Sequence, residues 1–176
     1  KLFKIDKLSK SSSIFNYKKL NFFNNYYLRS ENGLNEFHNY CENNEKLKIL
    51  LKDNKDKMNK IFNTYKKDLN NLNEILEIVR VYFDKDYKVN LVERFNKDFD
   101  NVFDDFKKEI STVESWKREN IQKIIEEFLK IKNIKFPVLG KPVRFLLINS
   151  YNGPSISDIF VILGKKDSLD RLNQYI

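Results

Sequence analysis

The chain has 176 residues, 41% of them hydrophobic, which is enough to bury a core in one large or two small domains. Its 33 Lys and Arg against 25 Asp and Glu give a formal net charge of +8, which favours anionic partners such as nucleic acid or a membrane surface. The absence of alanine and the abundance of Lys, Asn, Ile and Phe would equally follow from an AT-rich genome. The charge alone therefore does not decide whether the chain binds an anion.

Cys41 is the only cysteine and His38 is the only histidine. This composition excludes an intrachain disulfide, a CxxC redox pair, a cysteine zinc site and a histidine cluster for a metal. A Cys–His dyad would need a cleft and an orienting third group, and the Asn-rich, loop-like surroundings of these residues show neither. We therefore expect no catalytic residue, metal or cofactor in this chain.

Membrane and export signals are also missing from the sequence. No apolar run approaches the roughly 18 residues of a membrane-spanning helix. The first residues, Lys1-Leu2-Phe3-Lys4, do not form the apolar core of a signal peptide. We expect a soluble intracellular protein.

Apolar residues recur at spacings of three and four through most of the chain, which predicts helices. Such stripes cover residues 47–62 and 69–83, and a phenylalanine stripe predicts a helix over 94–110. Ser111 and Thr112 predict the start of the next helix, because a hydroxyl can cap unpaired backbone amides. These patterns indicate an all-α fold with no or minimal sheet.

The segment 136–165 holds all three prolines and three of the four glycines of the chain. Pro137, Gly140 and Pro142 predict that no regular helix forms between residues 136 and 142. We then expect a short buried helix or strand over 143–148, a turn at Gly153-Pro154, a helix over 155–163 that ends at Gly164, and a last helix from Asp167-Ser168.

Two cations and a turn in this segment could bind RNA. Lys141 and Arg144 lie three residues apart near the prolines, so their charges can point in one direction. A guanidinium can bond a base edge or a phosphate and can stack on an unpaired base. The backbone at Gly153-Pro154 could approach a base closely, because glycine has no side chain to intervene. Packing and ordinary surface turns would also explain these residues.

Two distant segments carry a resemblance to a known family. They are Gly140-Lys-Pro-Val-Arg144 with Pro154, Ile162-Leu-Gly-Lys165 and Asp170-Arg-Leu172 near the end, and Phe3-Lys-Ile-Asp-Lys-Leu-Ser-Lys-Ser11 with Phe15 and Tyr27-Leu-Arg29 near the start. Together they resemble the carboxy-terminal region of bacterial-type glutamyl-tRNA synthetases. The resemblance implies a stem-contact segment (residues 1–30) and two helical anticodon-binding subdomains (31–88 and 89–176). It is thinnest from residue 31 to residue 71.

The resemblance also implies roles for individual residues. Arg144 would read the third anticodon base, and Gly153, Pro154 and Ile156 would line the pocket for the second and third bases beside Lys141. Gly153 replaces a more usual threonine, so only backbone contact remains there. The position that separates glutamate from glutamine anticodons falls near Lys66, Lys67 and Asp68. If Asp68 occupies it, the discriminating arginine is missing. The residues expected along the tRNA stem, as phosphate contacts, are Lys10, Lys18, Lys19 and Arg29.

The catalytic part of such an enzyme is not expected in this chain. Leu8-Ser-Lys-Ser11 resembles an ATP-contacting loop, but the residues that follow match the stem-contact segment, and glycine-rich phosphate loops are missing. The resemblance implies a non-catalytic piece of an ATP- and Mg-dependent glutamate–tRNA ligase. It would position tRNA(Glu), with tRNA(Gln) left open, as a monomer that binds neither DNA nor a membrane. Its compartment would be a cytoplasm of bacterial type, with an organelle left open. The alternative is a basic helical protein-interaction module without a specific RNA ligand.

Overall fold

A computed structural model describes residues 16–91 and 94–175 of the chain. Across these residues the backbone forms ten α-helices, one short 3-10 helix over Leu72–Glu74 and no strand, which confirms the all-α prediction. The helices are α1 (Tyr17–Arg29), α2 (Gly33–Glu42), α3 (Glu45–Asp53), α4 (Lys55–Tyr65), α5 (Ile75–Phe83), α6 (Lys97–Ser111), α7 (Arg118–Ile131), α8 (Phe136–Ile148), α9 (Ile156–Leu163) and α10 (Lys165–Leu172).

Asparagine side chains begin three of these helices. Asn16, Asn44 and Asn96 each accept a hydrogen bond from the backbone N–H three residues further on, at the starts of α1, α3 and α6. The first N–H groups of a helix have no partner inside the helix, so such a cap typically stabilises it by about 1 kcal/mol. The asparagine-rich composition therefore has a structural use, whatever its genomic origin.

Helix α2 packs against α1, α3 and α4 and places its apolar face in the core. Phe37 stacks on Phe62 of α4, with ring centroids 4.7 Å apart and planes inclined by 8°. Cys41 is fully buried, and burial raises the pKa of its thiol to about 12. His38 lies with Nε2 2.7 Å from Asn59 Oδ1. The loop-like setting expected for Cys41 and His38 is therefore wrong, because both belong to an amphipathic helix.

Helices α6 to α10 surround an aromatic core. The phenylalanine stripe of α6 faces inward as predicted, and Phe106 packs edge-on against Phe128 of α7, with centroids 5.4 Å apart. Phe160 of α9 joins the same group. The helix predicted from residue 94 begins at Lys97, because the Asn96 side chain caps it there.

Helix α8 runs without interruption through residues 136–148, so the predicted break between 136 and 142 is wrong. Pro137 lies in the first turn, where its missing N–H would have had no partner inside the helix. Pro142 lies inside the helix and is buried, so packing outweighs the one hydrogen bond that it removes. Gly140 lies under the ring of Phe136, where an added Cβ would come within 2.3 Å of that ring. Close packing, rather than a turn, explains this glycine.

The helix start predicted at Ser111 and Thr112 is also wrong, since both residues lie at the end of α6. Ser111 Oγ donates to the carbonyl of Lys108, and Thr112 Oγ1 donates to the carbonyl of Glu109. Their hydroxyls thus bond the last carbonyls of one helix instead of capping the first amides of the next. Helix α7 begins only at Arg118. In the segment before it, the indole N–H of Trp116 donates to the Phe160 carbonyl at 2.8 Å.

The chain after the Gly153-Pro154 turn follows the predicted order. Ser155 caps α9 through its Oγ, and α9 ends at Gly164, which has φ +84° and donates to the Phe160 carbonyl. Helix α10 follows at once at Lys165, two residues before the predicted start at Asp167. The left-handed conformation at residue 164 favours glycine and allows this sharp reversal.

Helices α1–α5 and α6–α10 are joined through a shared core. Helix α4 packs against α9. Within the first group, Tyr65 of α4 and Tyr82 of α5 share a buried hydrogen bond of 2.9 Å between their hydroxyls. The buried side chains from Leu28 to Tyr175 form one connected cluster. The boundary expected near residue 88 stays a prediction about subdomains within this cluster.

Candidate nucleic-acid interface

Arg144 is held against the turn between α8 and α9. Its Nε donates to the Pro154 carbonyl at 3.0 Å, and its NH1 nitrogen donates to the Tyr151 carbonyl at 2.9 Å. The side chain is half-buried, and burial lowers the pKa of its guanidinium. The geometry therefore brings together the arginine and the Gly-Pro turn that the sequence singled out, and it fixes the guanidinium before any ligand arrives.

The turn beside Arg144 takes its backbone shape from Gly153. This glycine has φ +140°, a backbone conformation that favours glycine, and it is exposed. An added Cβ would lie 3.4 Å from Ile148 Cδ1 and 3.7 Å from Arg144 Cδ. Pro154 is half-buried, whereas Ile156 is buried as the first residue of α9. The side chain of Ile156 therefore supports the turn from inside, and the exposed surface consists of the backbone around Gly153.

Lys67 and Asp68 lie in a second exposed turn, directly after α4. The Lys67 carbonyl accepts hydrogen bonds from Arg29 and from Asn25 of α1, and Asn25 also donates to the Leu69 carbonyl at 2.7 Å. The side chains of Lys67 and Asp68 both remain exposed. Two side chains of α1 thus fix the backbone of the turn that presents them.

Charges at the two turns, those of Arg144 and Asp68, both shift the pKa of Tyr65. Burial raises the pKa of Tyr65. The hydrogen bond with Tyr82 and the charge of Arg144 lower this pKa, and the charge of Asp68 raises it. The charges of Asp68 and Arg144 thus act on the same phenol, although 76 residues separate them in the sequence, from residue 68 to residue 144.

The residues expected on the tRNA stem fall on or before α1. Lys18 and Lys19 are exposed near its first turn, and Arg29 is exposed at its end, where it donates to the Lys67 carbonyl. Lys10 lies outside the described residues. Arg29 therefore has a structural partner in addition to any phosphate that it contacts. The face of α1 also exposes large aromatic side chains, namely Phe22, Phe23, Tyr26 and Tyr27.

Sequence reasoning missed an aromatic cluster next to Arg144. Tyr151 stacks on Phe145 of α8, with centroids 4.6 Å apart and planes inclined by 29°, and Phe95 meets both rings edge-on. Lys141 is exposed and lines a cavity beside these rings. A tyrosine two residues before Gly153, in a turn already marked by glycine and proline, was the available signal. Its stacking partners could be known only from the fold.

The described part of the chain offers neither a metal site nor a membrane-spanning helix. Residues 16–91 and 94–175 contain no group of three or more His, Cys, Asp or Glu side chains that could hold a metal ion. None of the helices described there is both long enough and apolar enough to cross a membrane.

Comparison with known proteins identifies the family. Residues 34–176 match the family described as the anticodon binding domain. The chain belongs to this family. The match includes Arg144, the Gly153-Pro154 turn and the Lys67–Asp68 turn, so both turns lie inside an anticodon binding domain, whereas α1 precedes the matched residues.

Individual relatives agree with this assignment, and a solved structure has the same fold. The glutamate–tRNA ligase of Mycoplasma mycoides subsp. mycoides is 30% identical over 98% of this chain, and that of Mycoplasma capricolum subsp. capricolum is 29% identical over 98%. In both cases the chain spans only 37% of the relative's length. The crystal structure of a glutamate tRNA ligase from Elizabethkingia meningosepticum has a similar fold, with a TM-score of 0.71 and 20% identity over 98% of this chain and 34% of its own.

Proposed function

We propose that this domain binds the anticodon loop of tRNA(Glu) and positions that tRNA for a glutamate–tRNA ligase. The observation that carries the proposal is the fixed guanidinium of Arg144. Two of the five N–H donors of a guanidinium are bonded to the turn, and the others remain able to bond a ligand. The family match and the glutamate–tRNA ligase relatives support an anticodon as that ligand.

Recognition would follow from the chemistry of unpaired bases. A splayed-out base presents hydrogen-bonding edges that side chains and backbone can read, and a flat face that needs an apolar wall. Arg144 would bond the edge of the third anticodon base, while the backbone at Gly153 and Pro154 would contact the second and third bases. Lys18, Lys19, Arg29 and Lys10 would contact phosphates of the stem, which orients the tRNA without reading its sequence.

The choice between tRNA(Glu) and tRNA(Gln) would depend on the turn at Lys67 and Asp68. A carboxylate accepts hydrogen bonds from the amino group of cytosine and equally from that of guanine. Asp68 would therefore not by itself exclude the glutamine anticodon, whose third base is guanine. We include tRNA(Gln) as a candidate partner for this reason.

The chemistry of aminoacylation would take place elsewhere in a longer protein. The relatives extend well beyond the part that this chain matches. The ATP and Mg²⁺ of a glutamate–tRNA ligase would be bound there, and this domain would supply binding energy and orientation. The bacterial origin of the relatives supports the expected bacterial-type cytoplasm, and a monomer is the expected state of the domain.

The test is a titration of the protein with three labelled tRNAs, tRNA(Glu), tRNA(Gln) and an unrelated tRNA, followed by fluorescence anisotropy. We expect tRNA(Glu) to bind more tightly than the unrelated tRNA. Arg144→Ala should lose most of that preference, because a good bidentate base contact discriminates by about 1 to 3 kcal/mol. Arg80→Ala is the matched control, since Arg80 is exposed and pairs with Glu77 of its own helix. Equal binding of all three tRNAs by the unaltered protein would contradict the proposal.

The second candidate is a protein-interaction module, which the exposed aromatic face of α1 favours. Phe22 is 67% exposed and Tyr26 and Tyr27 are each 65% exposed, which is unusual for side chains of this size. The two functions differ in their dependence on salt. Contacts with several phosphates weaken steeply between about 50 and 200 mM salt, whereas an apolar protein interface does not. A tRNA affinity that stays constant over this range would favour the second candidate.

A further inference from the structure

A cavity beside the Arg144 turn combines aromatic and basic side chains. It has a volume of about 510 Å³ and is lined by Arg94, Phe95, Lys141, Phe145 and Tyr151, among others. This volume lies within the roughly 300 to 1,000 Å³ of typical ligand pockets. Tyr151 belongs to both places, because its carbonyl accepts the hydrogen bond from Arg144 and its ring lines the cavity. If a chain of linked units, such as nucleotides, binds with one unit at Arg144, the neighbouring unit would therefore lie at the cavity.

The ring of Tyr151 is exposed but held in place. It is 46% exposed, although it stacks on Phe145 at 4.6 Å. Phe95 meets Phe145 at 6.0 Å and 80°, and Tyr151 at 6.4 Å and 85°. An aromatic ring that is already oriented by its neighbours loses little conformational entropy when a ligand stacks on it. The cluster is thus suited to a flat ligand rather than to a flexible apolar chain.

The charges around the cavity indicate that this flat ligand carries a phosphate. Lys141 is exposed at the rim, and Arg94 lines the same space. No acidic side chain is among the described residues that line the cavity. Proteins that bind single-stranded nucleic acid combine these two features, stacking bases on aromatic rings while cations follow the phosphates.

We propose that Tyr151, supported by Phe145 and Phe95, is a stacking platform for one further unpaired nucleotide, next to the base that Arg144 contacts. Lys141 bonds the phosphate of that nucleotide. The platform rests on the proposed function, because it needs an anticodon loop bound at Arg144. Unlike the Arg144 contact, it does not read the identity of the base, since every base has a face that can stack.

The platform is tested with an isolated anticodon stem-loop of tRNA(Glu) that carries 2-aminopurine at one loop position at a time. Stacking on an aromatic ring quenches 2-aminopurine, so we expect one position next to the Arg144-contacted base to be quenched on binding. Tyr151→Phe should keep both the quenching and the affinity. Tyr151→Ala should lose the quenching and bind about 5- to 150-fold more weakly, as expected from the removal of one stacked base.

Two controls keep this outcome separate from misfolding. Ile49→Ala truncates a side chain that is 63% exposed on α3, away from the cluster, and should bind as the unaltered protein does. An abasic site at the quenched position should weaken binding of the unaltered protein as much as Tyr151→Ala does, and combining the two should weaken it no further. Additive losses would overturn the platform.

The remaining outcomes distinguish the two proposals. If Tyr151→Ala binds and quenches normally while Arg144→Ala loses its preference for tRNA(Glu), the platform is wrong and the proposed function stands. If the unaltered protein shows no preference for tRNA(Glu), both proposals fail together. If replacing the quenched nucleotide by each of the other bases changes the affinity strongly, the site reads sequence and is not a stacking platform.

Discussion

Two arginines of this domain make the same kind of contact in opposite surroundings. Arg144 donates to the carbonyls of Tyr151 and Pro154, which belong to one surface turn. Arg171 of α10 donates to the carbonyls of Leu147 and Val81, which belong to α8 and α5, and it is only 3% exposed. The first arginine organises a surface that can bind a ligand, and the second joins three helices.

The partners of Arg171 explain why a buried cation is stable there. Leu147 and Val81 lie among the last four residues of their helices, whose carbonyls have no partner inside the helix. A positive charge is also favoured at helix carboxyl ends. The Tyr87 ring lies against the guanidinium, with 3.7 Å between the ring centroid and Arg171 Cζ, which adds a cation–π contact. An arginine can therefore serve as a ligand contact or as a structural clamp. The two roles differ in whether its carbonyl partners belong to one surface turn or to two different helices.

The largest expected effect is on stability at the Arg171 junction. Arg171→Ala would leave two carbonyls without partners and create a cavity beside Tyr87. Hydrogen bonds to a charged group contribute about 1.5 to 3 kcal/mol each, so for two bonds we expect a loss of about 3 to 6 kcal/mol in the free energy of unfolding. Urea unfolding measures this loss. Arg80→Ala, at an exposed ion pair, should lose less than about 1 kcal/mol. If Arg171→Ala and Arg80→Ala lost the same free energy of unfolding, Arg171 would not be a structural clamp, and its contrast with Arg144 would be wrong.

Arg144→Ala should have a small effect on stability and a large effect on tRNA binding. Its carbonyl partners lie in an exposed turn and can bond water instead, so we expect a stability loss of only about 1 kcal/mol. Its affinity for tRNA(Glu) should fall about 5- to 150-fold if one bidentate base contact is lost. Measuring unfolding and binding on the same preparation tests the contrast directly. A large stability loss with unchanged binding would make Arg144 a second structural clamp.

Part of this contrast could be predicted from sequence. The family resemblance implied that Arg144 and the Gly153-Pro154 turn form one site, and the structure joins Arg144 to this turn by two hydrogen bonds. The role of Arg171 could not be predicted, because its carbonyl partners lie 24 and 90 residues away. Local pattern specifies a turn and its neighbours, whereas contacts of such separation depend on how the helices pack.

The errors in the predicted elements have the same origin. Pro137, Gly140 and Pro142 follow rules that normally break a helix, yet α8 continues because its first turn tolerates proline and its interior is buried. Tyr151 was missed because an exposed aromatic residue gains its meaning from Phe145 and Phe95, which lie on other segments. Intrinsic propensity is a weak constraint wherever tertiary packing is dense.

The turn at Gly153 offers a sharper test of the Arg144 side. A side chain at φ +140° is strained even though the nearest atoms leave room for a Cβ, so Gly153→Ala should lose about 1 to 2 kcal/mol of stability. It should also weaken tRNA binding, because the shifted turn would no longer hold Arg144. Gly164→Ala is the matched control, with φ +84° and no atom within 4 Å of the added Cβ. We expect this control to lose stability while it keeps its affinity for tRNA.

The smallest expected effect concerns Tyr87, whose ring contacts Arg171, and it is a change in stability at alkaline pH. Burial raises the pKa of Tyr87 to about 12 from 10.0, despite the neighbouring Arg171 charge, which lowers it. The unfolded chain then releases this proton at lower pH than the folded protein, so stability is lost as pH rises above 10. Tyr87→Phe cannot ionise there. Between about pH 9.5 and 11 its free energy of unfolding should fall about 1 kcal/mol less than that of the unaltered protein, as one pKa unit corresponds to about 1.4 kcal/mol. The other buried tyrosines titrate in both proteins and cancel in this difference, so parallel pH profiles would show that Tyr87 is not held neutral at the junction.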